Sequence, residues 1–66
     1  MRLYLYRQDI QDLNEVSEKE ALNIMRDIRE AYKLAKKRYV SVHAYCKYFM
    51  VTREEVYDAL QFKKTG

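Results

Sequence analysis

The sequence predicts an all-α domain, a compact bundle of about four helices with room for a minimal two-stranded ribbon. Three observations carry that reading. Apolar residues recur at three- and four-residue intervals through most of the chain, and two capping boxes mark helix starts. The 66 residues contain no proline and a single glycine, the C-terminal Gly66. Without those breakers the turns are made by ordinary residues, which favours helices over a hairpin-rich fold. Residues 1–66 are read as one domain, because a chain this short buries only about 60% of its unfolded surface and has no core to divide. Dimerisation or a partner would add to that small core.

Taken in order, Leu3-Tyr4-Leu5-Tyr6 is a short β-prone run, and Tyr39-Val40-Ser41-Val42 is another. The two can pair as a ribbon or run extended into the helices that follow. From Arg7 the pattern turns helical, with Ile10 and Leu13 on one side and Asp9 and Asp12 outward, and this first helix ends near Asn14. Ser17-Glu18-Lys19-Glu20 is a capping box, in which the serine hydroxyl accepts an orphan backbone N–H and Glu20 reaches back. It opens a second helix expected to run from Glu18 to Lys37. Ala21, Ile24, Met25, Ile28, Ala31, Tyr32 and Ala35 fall within an arc of about 120° and predict a core-facing stripe. Arg26, Arg29, Lys33, Lys36 and Lys37 occupy a neighbouring arc, while Glu20, Asp27 and Glu30 lie on the other flank. Ser41 is then placed to cap a third helix with Val42, Tyr45, Cys46 and Phe49 inward. The second capping box, Thr52-Arg53-Glu54-Glu55, opens a fourth with Val56, Tyr57, Ala59 and Leu60 available to the core. The tail from Lys63 to Gly66 is expected to fray.

A pattern recurs at an offset of 35 residues between 4–25 and 39–60. Tyr4 matches Tyr39, Val16 matches Val51, Ser17 matches Thr52, Glu20 matches Glu55 and Met25 matches Leu60. It reads either as an internal repeat or as what any two units of short helix, cap and helix share.

The net charge of +3 is unevenly distributed. Residues 1–34 hold six Lys/Arg and seven Asp/Glu, whereas residues 35–66 hold seven and three. A locally basic surface suits a polyanion. The single cysteine, Cys46, has no disulfide partner within the chain and fits a reducing compartment. The apolar run at the start is far shorter than a signal-peptide core or a membrane span, so a soluble, cytoplasmic protein without membrane association is expected. His43 and Cys46 stand three apart on the third helix and could share a face, but a structural zinc needs about four ligands and a nucleophile pair needs an orienting group and an oxyanion site. With no glycine-rich phosphate loop either, no enzyme, metal, cofactor or small-molecule substrate is expected. Tyr39, Tyr45, Tyr48 and Tyr57 lie in the more basic half. Interleaved with Lys/Arg they could stack bases, whereas at helical spacing they serve as core or interface residues.

The run from Asp9 to Ala21, with Ile10 and Leu13 as an apolar pair, a turn ending in Val16-Ser17 and the small Ala21 on the next helix, resembles the helix-turn-helix of small bacterial and phage regulators. Tyr45 to Leu60, with Val51-Thr52 at the turn, resembles it as well. The whole chain is similar to short DNA-binding proteins of mobile elements, excisionase-type factors among them. Glu15 and Met50 depart from the pattern at turn positions that usually hold glycine, and predict a wider turn. Glu18 and Glu20 place carboxylates at the front of the would-be reading helix.

The resemblance implies duplex-DNA binding by a regulator or accessory recombination factor, with the second helix in the major groove. It would put Lys19, Asn23 and Arg26 in reading positions, asparagine suiting adenine and arginine guanine. Arg29, Lys33, Lys36, Lys37 and Arg38 would neutralise backbone phosphates. The alternative is a protein-interaction module or homodimerising adaptor, for which the tyrosine content is suited.

Overall fold

The computed structural model describes residues 3–65, with side chains through Phe62. Its order is β1 (Tyr4–Tyr6), α1 (Arg7–Asn14), α2 (Glu18–Ala31), β2 (Tyr39–Ser41), α3 (Val42–Phe49) and α4 (Arg53–Thr65). Of the fraying expected at the C-terminus, Gly66 and the side chains of residues 63–65 lie outside the described residues.

The two β-prone runs pair. They form an antiparallel ribbon in which Leu5 stands opposite Val40, Tyr4 opposite Ser41 and Tyr6 opposite Tyr39. A two-stranded ribbon of this length is not stable alone. Here its inner face holds it, because Leu5 and Val40 are both buried and join Ile10, Met25, Ile28 and Val42 at the centre of the core. The alternation of a strand sends Tyr4, Tyr6 and Tyr39 to the other face.

Each strand passes directly into a short helix, and the two helices are capped by opposite halves of the same device. At α1 the Asp9 carboxylate accepts the Tyr6 backbone N–H at 2.9 Å, whereas at α3 the Ser41 hydroxyl oxygen accepts the Ala44 N–H at 3.0 Å. Asp9 is therefore buried, 7% exposed, rather than outward as its place beside Asp12 suggested. A carboxylate that satisfies an orphan backbone donor can be buried at low cost. The longer helices begin at the two anticipated caps. At α4 the box is complete: Glu55 N–H donates to the Thr52 hydroxyl oxygen at 3.1 Å, and Thr52 N–H donates to the Glu55 carboxylate at 3.0 Å. At α2 the Glu20 N–H donates to the Ser17 hydroxyl oxygen at 3.3 Å, and the Glu20 carboxylate accepts the serine hydroxyl at 3.1 Å.

Helix ends depart from the sequence reading. α2 stops at Ala31, six residues before Lys37. Lys33 takes up left-handed backbone, φ 53°. Lys33 N–H then bonds the Glu30 carbonyl at 3.4 Å and Leu34 N–H the Arg29 carbonyl at 2.8 Å. That pair of bonds is a Schellman closure, which consumes carbonyls the next turn would have needed. Ala31 and Ala35 accordingly lie exposed, and the buried stripe of α2 is Ala21, Met25 and Ile28, flanked by half-buried Ile24. α1 and α3 close similarly. Glu15 and Met50 adopt φ 53° and 59°, and Val16 and Val51 N–H reach back to the Gln11 and Cys46 carbonyls. The turns are thus tight rather than wide, and ordinary side chains bear left-handed backbone in place of glycine.

All of these landmarks are displaced by 35 residues: strand, eight-residue helix, left-handed residue, cap and longer helix. The ribbon pairs Leu5 with its own equivalent, Val40, as a twofold axis through the ribbon would. α1 packs on α4 as well as α2, and α2 on α3, so the two units share one core. The radius of gyration, 11.1 Å, matches the roughly 11 Å expected for this length.

Candidate nucleic-acid interface

Because α2 ends early, the cations expected on one long helix come from two segments. Lys19, Asn23, Arg26 and Arg29 lie on α2, whereas Lys33, Lys36, Lys37 and Arg38 lie in the connection from Tyr32 to β2. That connection folds back along the helix. The Arg29 guanidinium donates through Nη1 to the Lys37 carbonyl oxygen at 2.8 Å, fixing the loop to the last turn of α2.

Two shallow hollows result. The first, of about 730 Å³, gathers Asn23, Arg26, Arg29, Lys33 and Lys36 with Glu30, Leu22 and Leu34. The second, of about 970 Å³, lies against the ribbon and gathers Arg29, Lys36, Lys37 and Arg38 with Arg7, Tyr6 and Tyr39. Leu22, Arg29 and Lys36 line both. Lys19 is exposed at the start of α2 and lines neither.

The charge of the two differs. Arg26 of the first hollow meets two carboxylates, its Nη2 lying 3.6 Å from Asp27, outside the lining, and its Nε 4.0 Å from Glu30, within it. These are exposed, long contacts, of the kind that contribute little and exchange readily with another anion. No carboxylate lines the second hollow. Glu18, which sits at the front of α2, is matched instead by Arg7 at 2.8 Å, an exposed bridge between the starts of α1 and α2. The acidic front of α2 is thereby engaged by the first unit's own arginine.

The other candidate groups do not converge. His43 is exposed while Cys46 is buried, so they share no site. Burial raises the Cys46 thiol above the ordinary cysteine value, with Arg53 lowering and Glu55 raising it to a lesser degree. A thiol held protonated is a packing group rather than a nucleophile. Among the described residues no three His, Cys, Asp or Glu side chains gather in a way that could hold a metal ion. Tyr45 belongs to the core, and its hydroxyl donates to the Asn14 side-chain oxygen at 2.6 Å, tying α3 to the end of α1. Tyr48 and Tyr57 lie on α3 and α4 and line neither hollow, leaving Tyr39 alone of the four at the basic surface.

Arg7, Tyr6, Leu22 and Leu34 were not anticipated at this surface. Arg7 and Tyr6 are remote in sequence from the basic segment and arrive through the ribbon pairing. Leu22 carried a signal, since it falls outside the apolar stripe of α2 and is about half exposed. Among the described residues no helix is long and apolar enough to cross a membrane. The chain matches no protein-family model, no curated protein and no solved structure.

Proposed function

We propose that the chain binds duplex DNA through the cationic side of α2 and the loop folded along it, as a small regulator or accessory recombination factor. The observation that supports this most is the convergence of Asn23, Arg26, Arg29, Lys33 and Lys36 on one hollow although they come from a helix and a separate loop. A solvated helix face has no reason to recruit a second basic segment, and like charges held together store repulsion that a polyanion relieves. The short helix, tight turn and longer α2 also resemble a helix-turn-helix, in which the second helix enters the major groove. In that docking Asn23 and Arg26 face base edges, and Lys33, Lys36 and Lys37 meet phosphates. Arg29 spends one of its donors on the Lys37 carbonyl and acts mainly by holding the loop.

Anisotropy of a labelled duplex titrated at several salt concentrations tests the proposal. If Arg26, Lys33, Lys36 and Lys37 each neutralise one phosphate, log affinity should fall against log salt with a slope of about −4. Replacing Arg26, Lys33 and Lys36 by alanine together should reduce that slope to about −1. Absence of binding at low salt, or binding indifferent to the triple replacement, overturns it.

A second reading is a protein-interaction module or homodimer. It is favoured by the second unit, where Met50 is 91% and Phe62 75% exposed and neither lines a hollow. Sedimentation equilibrium decides whether the chain self-associates: a strictly monomeric chain removes the homodimer.

A further inference from the structure

The hollow against the ribbon differs from the one along α2 in two respects. Arg7, Arg29, Lys36, Lys37 and Arg38 line it with no carboxylate among them, and Tyr6 and Tyr39 provide an aromatic wall that the other lacks. The wall is ordered in advance. Tyr39 sits between Tyr4, at 4.6 Å between ring centroids, and Tyr6, at 5.7 Å, all three on the outer face of the ribbon. Within the hollow Tyr6 is nonetheless about half exposed, and Tyr39 is half-buried. Lys36, Lys37 and Arg38, on the segment leading into Tyr39, are exposed as well.

Cations recognise phosphates, and exposed ring faces recognise flat apolar surfaces. A ligand satisfying both is a nucleotide whose base is not stacked in a helix. Within a duplex the faces of the bases are covered by their neighbours and only their edges and the backbone are accessible. Inside an intact duplex a tyrosine ring therefore finds no base face to stack on, but it stacks any base that has left the helix. We infer that the ribbon-side hollow accepts an unpaired nucleotide, its base against Tyr6 and Tyr39 and its phosphates against Lys36, Lys37 and Arg38. The inference rests on the duplex reading, with Arg29 and Lys36 shared between the two hollows and a duplex on α2 continuing into a single strand across the ribbon. It makes the protein a reader of junctions between double- and single-stranded DNA, because stacking on tyrosine is indifferent to which base is presented.

The experiment compares three labelled DNAs of equal phosphate number by anisotropy: a blunt duplex, a shorter duplex ending in a short thymidine tail, and the same duplex ending in an abasic tail. The thymidine tail should bind about tenfold tighter than either of the others, the gain expected of a stacked base. Tyr39→Val and Tyr6→Val should erase that preference and leave blunt-duplex affinity within about twofold, whereas Tyr39→Phe should keep it, since stacking needs the ring and not the hydroxyl. Equal affinity of the wild-type chain for thymidine and abasic tails overturns the inference without any variant, and leaves duplex binding standing. A preference that persists in the folded valine variants overturns it too, because the tail is then held by charge alone. Failure to bind any of the three DNAs overturns the duplex reading and this one with it.

Discussion

Tyr45 joins the two units through one bond. Its hydroxyl donates to Asn14, 31 positions earlier in the chain, from a side chain that is almost wholly buried. Burial holds its hydroxyl above the ordinary tyrosine range, with a smaller push from Cys46. The folded chain therefore keeps this proton at a pH where the unfolded chain releases it. Stability from this residue is complete below the ordinary tyrosine value of about 10 and falls as pH rises through the higher folded value. Cys46, raised in the same direction, should add to the decline from about pH 8.5. Tyr45→Phe should cost about 1 kcal/mol at neutral pH through the lost hydrogen bond, and should lose less than the wild type between pH 7 and pH 11. Urea midpoints at the two values check it; a constant gap between the two proteins would show that the hydroxyl does not ionise differently on folding.

At the level of elements, the helices are defined by their ends. Three of them close on ordinary residues in left-handed backbone, Glu15, Lys33 and Met50, each costing about 1 kcal/mol relative to glycine. Met50 gives the cleanest measure, since its side chain is in water and its removal sacrifices no packing. Met50→Gly should raise stability by about 0.5–1 kcal/mol, some 2–8 °C in Tm for a domain this small. A lowered Tm would mean that the αL cost at this turn is outweighed by the greater freedom glycine confers on the unfolded chain. The Lys33 closure has the larger architectural effect. Had α2 continued to Lys37, its end would lie about 9 Å further along the helix axis, and the chain could not turn back within one residue to set Tyr39 opposite Tyr6.

For the molecule as a whole, the two units are interdependent. Leu5 and Val40 cover one another in a ribbon to which each contributes three residues, and α1 rests on α4 as α3 rests on α2. Among the described residues each unit has one strand, which pairs only with the other's. A peptide of residues 1–38 should therefore show little helical circular dichroism alone and gain it on mixing with residues 36–66. A stably folded first half would contradict the shared core.

The first half of the core stripe, the two caps, the two strand segments and the order of helices were legible in the sequence because each is local: periodicity and capping depend on residues three or four apart. Residues 32–37 were misread for the same reason. Ala35, Lys36 and Lys37 are good helix formers, and nothing nearby announces the stop. What ends α2 is the ribbon, a contact across 35 residues that local propensity does not encode. The cations themselves were visible, but their grouping was not, since Arg7 and the Tyr6–Tyr39 wall reach the basic loop only through that pairing. Local pattern alone was enough for the helix starts, for the buried positions Ala21, Met25 and Ile28 and for where charge resides, but not for the end of α2 or the burial of Asp9. That the amphipathic run from Ser17 to Lys37 is a helix and a returning loop follows from contacts distant in sequence, because burying Leu5 and Val40 in one ribbon sets Tyr39 opposite Tyr6 and the chain must turn back before it gets there.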